Sequence, residues 1–179
     1  MYQIDERDKV VPLAGMPQSS VGAPLPLVMA DELRVVLAFY VQEVPPGWNG
    51  SSVRVVDPAT SNEPLALVRF NGYMAYMFGP PNDEAFAGHP LFDRGLRPYS
   101  ASRVEDSSWI RRLESMNSVH RQHNPKRFWA MQHIILAFHD STFECVCAGF
   151  DIRSARGSIL SAVPEMVKLL QQRDTRDGD

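Results

Sequence analysis

The stretch MQHIILAFHDSTFECVCAGFDI, residues 131–152, sets two largely apolar runs around a polar centre. Side chains of a strand alternate between two faces, so such runs read as strands and the polar centre as a turn. The spacing predicts an antiparallel hairpin of residues 131–138 with 143–152. A two-residue loop at Asp140-Ser141 and a four-residue loop from His139 to Thr142 both set Phe138 opposite Phe143. Leu136 then faces Cys145, and Ile134 faces Cys147. One face collects Ile134, Leu136, Phe138, Phe143, Cys145 and Cys147, a core face on which thiols act as small hydrophobes. The other carries His133, Ile135, Ala137, Glu144, Val146 and Ala148.

At the tip of this hairpin His139 and Glu144 are diagonal neighbours with Thr142 between them, and diagonal side chains on a sheet can touch. A carboxylate beside an imidazole fixes its tautomer and stabilises its cation, as general acid–base chemistry requires. His139, Glu144, Asp140 and Thr142 are therefore the candidate catalytic residues. Turn chemistry accounts for the same polar run, since Asp140, Ser141 and Thr142 bond nearby backbone groups in turns.

The rest of the chain supplies the remaining elements. DELRVVLAFYVQEV, residues 31–44, alternates Leu33, Val35, Leu37, Phe39 and Val41 on one apolar face of a strand. A short strand is expected at Ser52–Val56. In LALVRFNGYMAYMF, residues 65–78, Asn71-Gly72 is a favoured hairpin turn, because both central positions of a type I′ turn need positive φ. That turn pairs Phe70 with Tyr73, Val68 with Ala75 and Ala66 with Met77. Both faces of this hairpin are apolar, so something must cover each, either helices or a second subunit. Residues 79–100 read as loop, and Ala101–Val104 as a strand. A helix follows, capped by Asp106 or Ser107 and carrying Trp109, Ile110, Leu113 and Met116 at helical spacing. Asn124-Pro125 is expected to stop it. A last helix runs from Ser158 to about Gln172, with Val163, Met166, Val167 and Leu170 on one face.

These elements predict an α+β fold: an antiparallel sheet of about five to seven strands with two helices packed on one face. Pro12, Pro17, Pro24 and Pro26, with Gly15 and Gly22, mark residues 1–30 as an extended Pro/Gly-rich arm. A single α+β domain is expected over 31–173 and a frayed tail over 174–179.

The runs GHPLFDRGLRPYS (88–100), DSSWIRRLESMN (106–117) and HIILAFHDSTFEC (133–145) together resemble an uncharacterised family of bacterial proteins. The likeness spans roughly residues 88 to 150, and FHDSTFEC is its most specific part. It implies a bacterial origin. That family has no established activity, so the resemblance transfers no catalytic residue.

Composition narrows the function classes. With 44% apolar and 22% charged residues in 179, the chain is ordinary for a globular protein, and its net charge of −3 gives no global pull toward nucleic acid or anionic lipid. No apolar run reaches the roughly 20 residues of a membrane span. The N-terminus has no apolar secretory core, and only Cys145 and Cys147 are present, so a reduced, cytoplasmic protein is expected. Phosphate-binding loops, dinucleotide fingerprints, G-x-S-x-G and H-E-x-x-H are all missing. Residues 94–127 hold eight basic residues against three acidic ones, a net of +5, interleaved with Trp109. Arg111, Arg112, Arg121 and Trp109 are therefore the candidate ligand-binding residues for an anionic partner. His120 and His123 could share a metal, but zinc wants at least three protein ligands, so no metal and no cofactor is expected. The reading favoured is a non-catalytic binding protein, whether adaptor, ligand binder or immunity-like partner. Its partner is a protein or small molecule rather than nucleic acid or membrane, and a homodimer is expected from the two-faced hairpin and the arm. The alternative is a small hydrolase-type enzyme using His139 and Glu144 at the 138–145 hairpin.

Overall fold

The computed structural model describes residues 2–44, 47, 49 and 55–172. In chain order the strands and helices are β1 (Lys9–Pro12), β2 (Leu27–Ala30), β3 (Val35–Tyr40), β4 (Glu63–Asn71), β5 (Ala75–Gly79), β6 (Ala101–Glu105), α1 (Ser108–Asn117), α2 (Pro125–Trp129), β7 (Gln132–Ala137), β8 (Thr142–Cys147), β9 (Gly149–Gly157) and α3 (Val163–Gln171). The fold is α+β with antiparallel strands, divided between two sheets: β1-β6-β7-β8-β5 and β2-β3-β4-β9. The expected strand at Ser52–Val56 falls mostly outside the described residues; Val55 and Val56 are not in a strand. The expected tail also lies outside them.

The two sheets face each other across the main core. Val35, Leu37, Phe39, Ala66, Val68 and Phe70 from one meet Ile134, Leu136, Phe138, Phe143, Cys145 and Cys147 from the other. Ring centroids of Phe39 and Phe138 lie 5.4 Å apart, and those of Phe70 and Phe143 lie 5.1 Å apart. Burial of each such ring contributes about 2–3 kcal/mol. The alternate residues of β3 and β4, Val36, Ala38, Tyr40, Leu65 and Leu67, pack against Ile159, Ala162, Met166 and Leu169 around α3. That second cover explains why every residue of β3 is buried. For β3 and β4 the second cover is therefore a helix of the same chain, whereas Tyr76 and Phe78 of β5 stay partly exposed. The helix presents Met166 and Leu169 to the core, while Val167 is partly exposed.

The 65–78 hairpin does not form. β4 pairs with β3 and β9, whereas β5 pairs with β8 in the other sheet. Asn71 and Gly72 make a corner at which one continuous stretch passes between sheets, and Gly72 takes the left-handed φ of +54° there. Its partner stretch bends at the same place, so residues 143–152 are not one strand but the end of β8 and the start of β9. Gly72, Tyr73 and Met74 separate the pairs Asn71–Gly149 and Ala75–Val146, against only Cys147 and Ala148 on the partner. One extra residue on one side is a β-bulge, the usual device for turning such a corner.

The 131–152 hairpin forms, but two residues out of the expected register. Leu136 pairs with Phe143 and Ile134 with Cys145. The Phe138 N–H bonds the Ser141 carbonyl at 2.8 Å, so the turn is centred on His139-Asp140. A slip of two residues keeps each side chain on its face, and the core face is the expected one. The proline-rich arm supplies an edge strand to each sheet, β1 beside β6 and β2 beside β3.

Candidate functional site

The register of β7 and β8 sets Glu144 and His133 side by side on the outer face of the five-stranded sheet. His133 Nε2 lies 2.8 Å from Glu144 Oε2, and both side chains are buried. Three further segments converge on them. The loop after β5 brings His89 Nε2 to 3.2 Å from Glu144 Oε1, and the N-terminal segment donates the Tyr2 hydroxyl to Oε2 at 2.7 Å. From the start of α1, Ser107 Oγ lies 2.9 Å from His133 Nδ1.

The partners fix the protons. His89 Nδ1 accepts the Leu91 N–H at 3.1 Å, so its proton sits on Nε2 and is donated to Glu144. Ser107 Oγ accepts the Ile110 N–H as the N-cap of α1, which leaves its hydroxyl proton for His133 Nδ1. His133 then donates from Nε2. Glu144 thus receives three donors in a buried setting. Burial alone pushes its carboxyl up, but the His133, His89 and Tyr2 bonds outweigh this and hold it down at about 2. Burial and the neighbouring Glu144 carboxylate push the Tyr2 phenol well above its ordinary range.

The N-terminal segment closes over this cluster. The Tyr2 ring stacks on Trp109 at 5.2 Å and 7°, and both rings meet His133 edge-on. Asp8, buried, accepts the Ser108 N–H at 2.7 Å, and Asp5 pairs with Arg111 at 2.6 Å.

The expected catalytic pair is not brought together. Glu144 is taken by His133, His89 and Tyr2, while His139 sits at the turn beside Asp140 at 3.1 Å and Asp83 at 3.9 Å. The correction has a plain cause: Glu144 belongs to the outer face of β8, and His139 lies beyond the last pair of the ladder, Ala137 with Thr142. Asp140 is exposed, and Thr142 donates its hydroxyl to the Pro81 carbonyl at 2.9 Å. Of the four residues, Glu144 alone belongs to the cluster. Sequence reading put His133 on its face, yet the assumed register left the two further apart. Tyr2, His89 and Ser107 come from distant segments, and no spacing in the chain links them to Glu144.

The expected basic residues lie around α1 and α2. Trp109 is buried, and Arg111 is engaged by Asp5 and by the backbone and side chain of Asp106. Arg112 and Arg121 are exposed. Among the described residues Arg112, Arg121, Lys126 and Arg127 have no side-chain ion pair or hydrogen bond. The single acid between Ser107 and Met131, Glu114, is held by His123 at 2.7 Å. His120 instead accepts the Gln122 N–H, so the two histidines do not converge. Among the described residues no group of three or more His, Cys, Asp or Glu is placed to hold a metal.

Two open grooves, about 780 and 740 Å³, flank α1 and meet at Leu113 and Met116. Arg112 edges the first, while Arg127, Tyr73 and Met74 line the second. Met116 is 62% exposed, Val119 90% and Trp129 72%, so the same segment offers apolar surface as well as charge. No family model, curated protein or solved structure matches the chain.

Proposed function

We propose that this is a bacterial, cytoplasmic protein that acts by binding, and that the α1–α2 face takes an acidic protein segment carrying apolar anchors. The observation that carries the reading is the set of unpaired cations Arg112, Arg121, Lys126 and Arg127 in the same segment as exposed Met116, Val119 and Trp129, with Arg112, Arg127 and Met116 lining two joined grooves. Unpaired cations steer and orient an acidic partner, while large apolar side chains supply the contact energy. The chain is acidic overall, which favours an acidic protein segment over nucleic acid, whose binding calls for a broader basic field. The resemblance to a bacterial family and the two buried free thiols support the proposed origin and compartment.

The test is fluorescence anisotropy with a labelled acidic peptide bearing leucines at helical spacing. Binding should weaken steadily as salt rises, and the double variant Arg112→Glu, Arg127→Glu should abolish it. Arg94→Glu, an exposed charge elsewhere, should change little. Binding that ignores both salt and the double variant would contradict the reading.

A further inference from the structure

The Ser107–His133–Glu144 chain has an arrangement that its structural roles do not require. Strand β6 ends at Glu105, Asp106 turns sharply with a left-handed φ of +48°, and Ser107 follows at the N-terminus of the ten-residue α1. A non-glycine residue held in that conformation is strained, and such strain gathers at functional sites. A sharp strand–turn–helix connection is also a known way to present a nucleophilic serine. Here the strain falls on the residue before the serine.

The partners of Ser107 complete the geometry. Its Oγ is 2.9 Å from His133 Nδ1, and His133 Nε2 is 2.8 Å from Glu144 Oε2. Tyr2 and Trp109 shield the imidazole on the far side. Ser107 itself is 3% exposed, but it borders a groove of about 400 Å³ in which Val104, Ile110, Phe128, Trp129 and Met131 line an apolar part beside Arg103, Glu105 and Arg111. The apolar part of that groove, beside a serine, suits the acyl part of an ester.

We infer that Ser107 is a nucleophile for acyl transfer, with His133 as its base, Glu144 as the positioning residue and carboxylic esters with apolar acyl groups as the substrate class. Ser107 Oγ forms a bond to the carbonyl carbon as its proton passes to His133 Nδ1. The C–O bond to the leaving alkoxide breaks, and the alkoxide takes that proton. Water, deprotonated by the same imidazole, then attacks the acyl-serine and restores Ser107 with its proton. Glu144 holds the imidazole and stabilises its cation throughout. This inference does not rest on the binding reading, although Trp129 borders both surfaces.

The experiment is intact-mass and peptide-level mass spectrometry of the full chain after treatment with diisopropyl fluorophosphate under native conditions. Oγ would bond to phosphorus, fluoride would leave with its electron pair, and the hydroxyl proton would pass to His133. A single adduct per chain, mapped to Ser107, is expected. Ser107→Asn keeps an N-cap and should take no label, and His133→Gln should slow labelling about a hundredfold or more. Glu144→Gln should slow it and move the acid limb of the pH profile to lower pH, a change that a merely structural role would not produce. An unlabelled native chain, or label on other residues that persists in Ser107→Asn, would overturn the inference. Peptide mapping of the wild-type chain decides the matter even if a variant fails to fold.

Discussion

Glu144 is the residue on which the N-terminal segment, the loop after β5 and two strands converge. Its three donors replace the water it loses on burial, and losing any one of them leaves a buried group unpaired. Its carboxyl, ordinarily near 4.5, is held at about 2 in the folded chain. A group held below its unfolded value contributes stability that is full above about pH 4.5 and is lost as the pH falls toward 2. Replacing it by Gln sets an amide N–H₂ against the N–H and O–H donors around it. Glu144→Gln should therefore cost about 3 kcal/mol at pH 6 by urea unfolding, narrowing by about 2 kcal/mol at pH 3. A gap that stays constant across that range would show that the carboxylate is not the group being stabilised. The cysteines sit at the opposite extreme, buried on the inner face of β8, where burial pushes the Cys145 thiol up.

Most elements were legible because their periodicity is strong. β3, β6, β7 and the start of α1 fall where alternation and N-cap chemistry put them, and the inner face of the β7–β8 hairpin is the expected one. The last helix opens at Val163 rather than Ser158 and buries Met166 and Leu169, and Met116 of α1 is exposed. The larger departures are of one kind. Asn71-Gly72 carries a hairpin signature because both residues tolerate positive φ, and a corner between sheets uses the same tolerance. Local chemistry cannot tell the two apart, since the choice rests on β9 as the partner of β4. The single expected sheet became two for the same reason. In the α1–α2 region the first helix ends at Asn117, before Asn124-Pro125, which instead opens α2 as N-cap and first-turn proline. The corner itself is testable. An added Cβ at Gly72 would stand 3.4 Å from the Ala148 Cβ and would force an L-residue into the left-handed region. Gly72→Ala should destabilise by about 1–2 kcal/mol, whereas Gly22→Ala, which meets nothing within 4 Å, should stay within about 0.5 kcal/mol. Equal denaturation midpoints for the two variants would argue against a strained corner.

At the scale of the molecule, the main apolar faces of both sheets are covered within the chain, while single large apolar side chains such as Leu33, Val55 and Leu160 stay exposed. The inner faces of the sheets cover each other, α3 covers the four-stranded sheet, and Phe86, Leu91 and Leu96 cover Ile135 and Ala137. No helix among the described residues is long and apolar enough to cross a membrane. The segment of α1 and α2 differs in combining exposed Met116, Val119 and Trp129 with cations that have no partner among the described residues, which is the ground for the proposed binding face. The candidate site was only partly legible: the basic run announced Arg112 and Arg121. Nothing in the sequence, however, showed that Arg111 and Trp109 would be occupied by Asp5 and Tyr2. The most direct test is amide hydrogen exchange of the full chain with and without the acidic amphipathic peptide. The account predicts slowed exchange across residues 108–129, lost in the Arg112→Glu, Arg127→Glu variant. Protection confined to the β9 edge or to the 138–142 turn, with α1 and α2 unchanged, would contradict it.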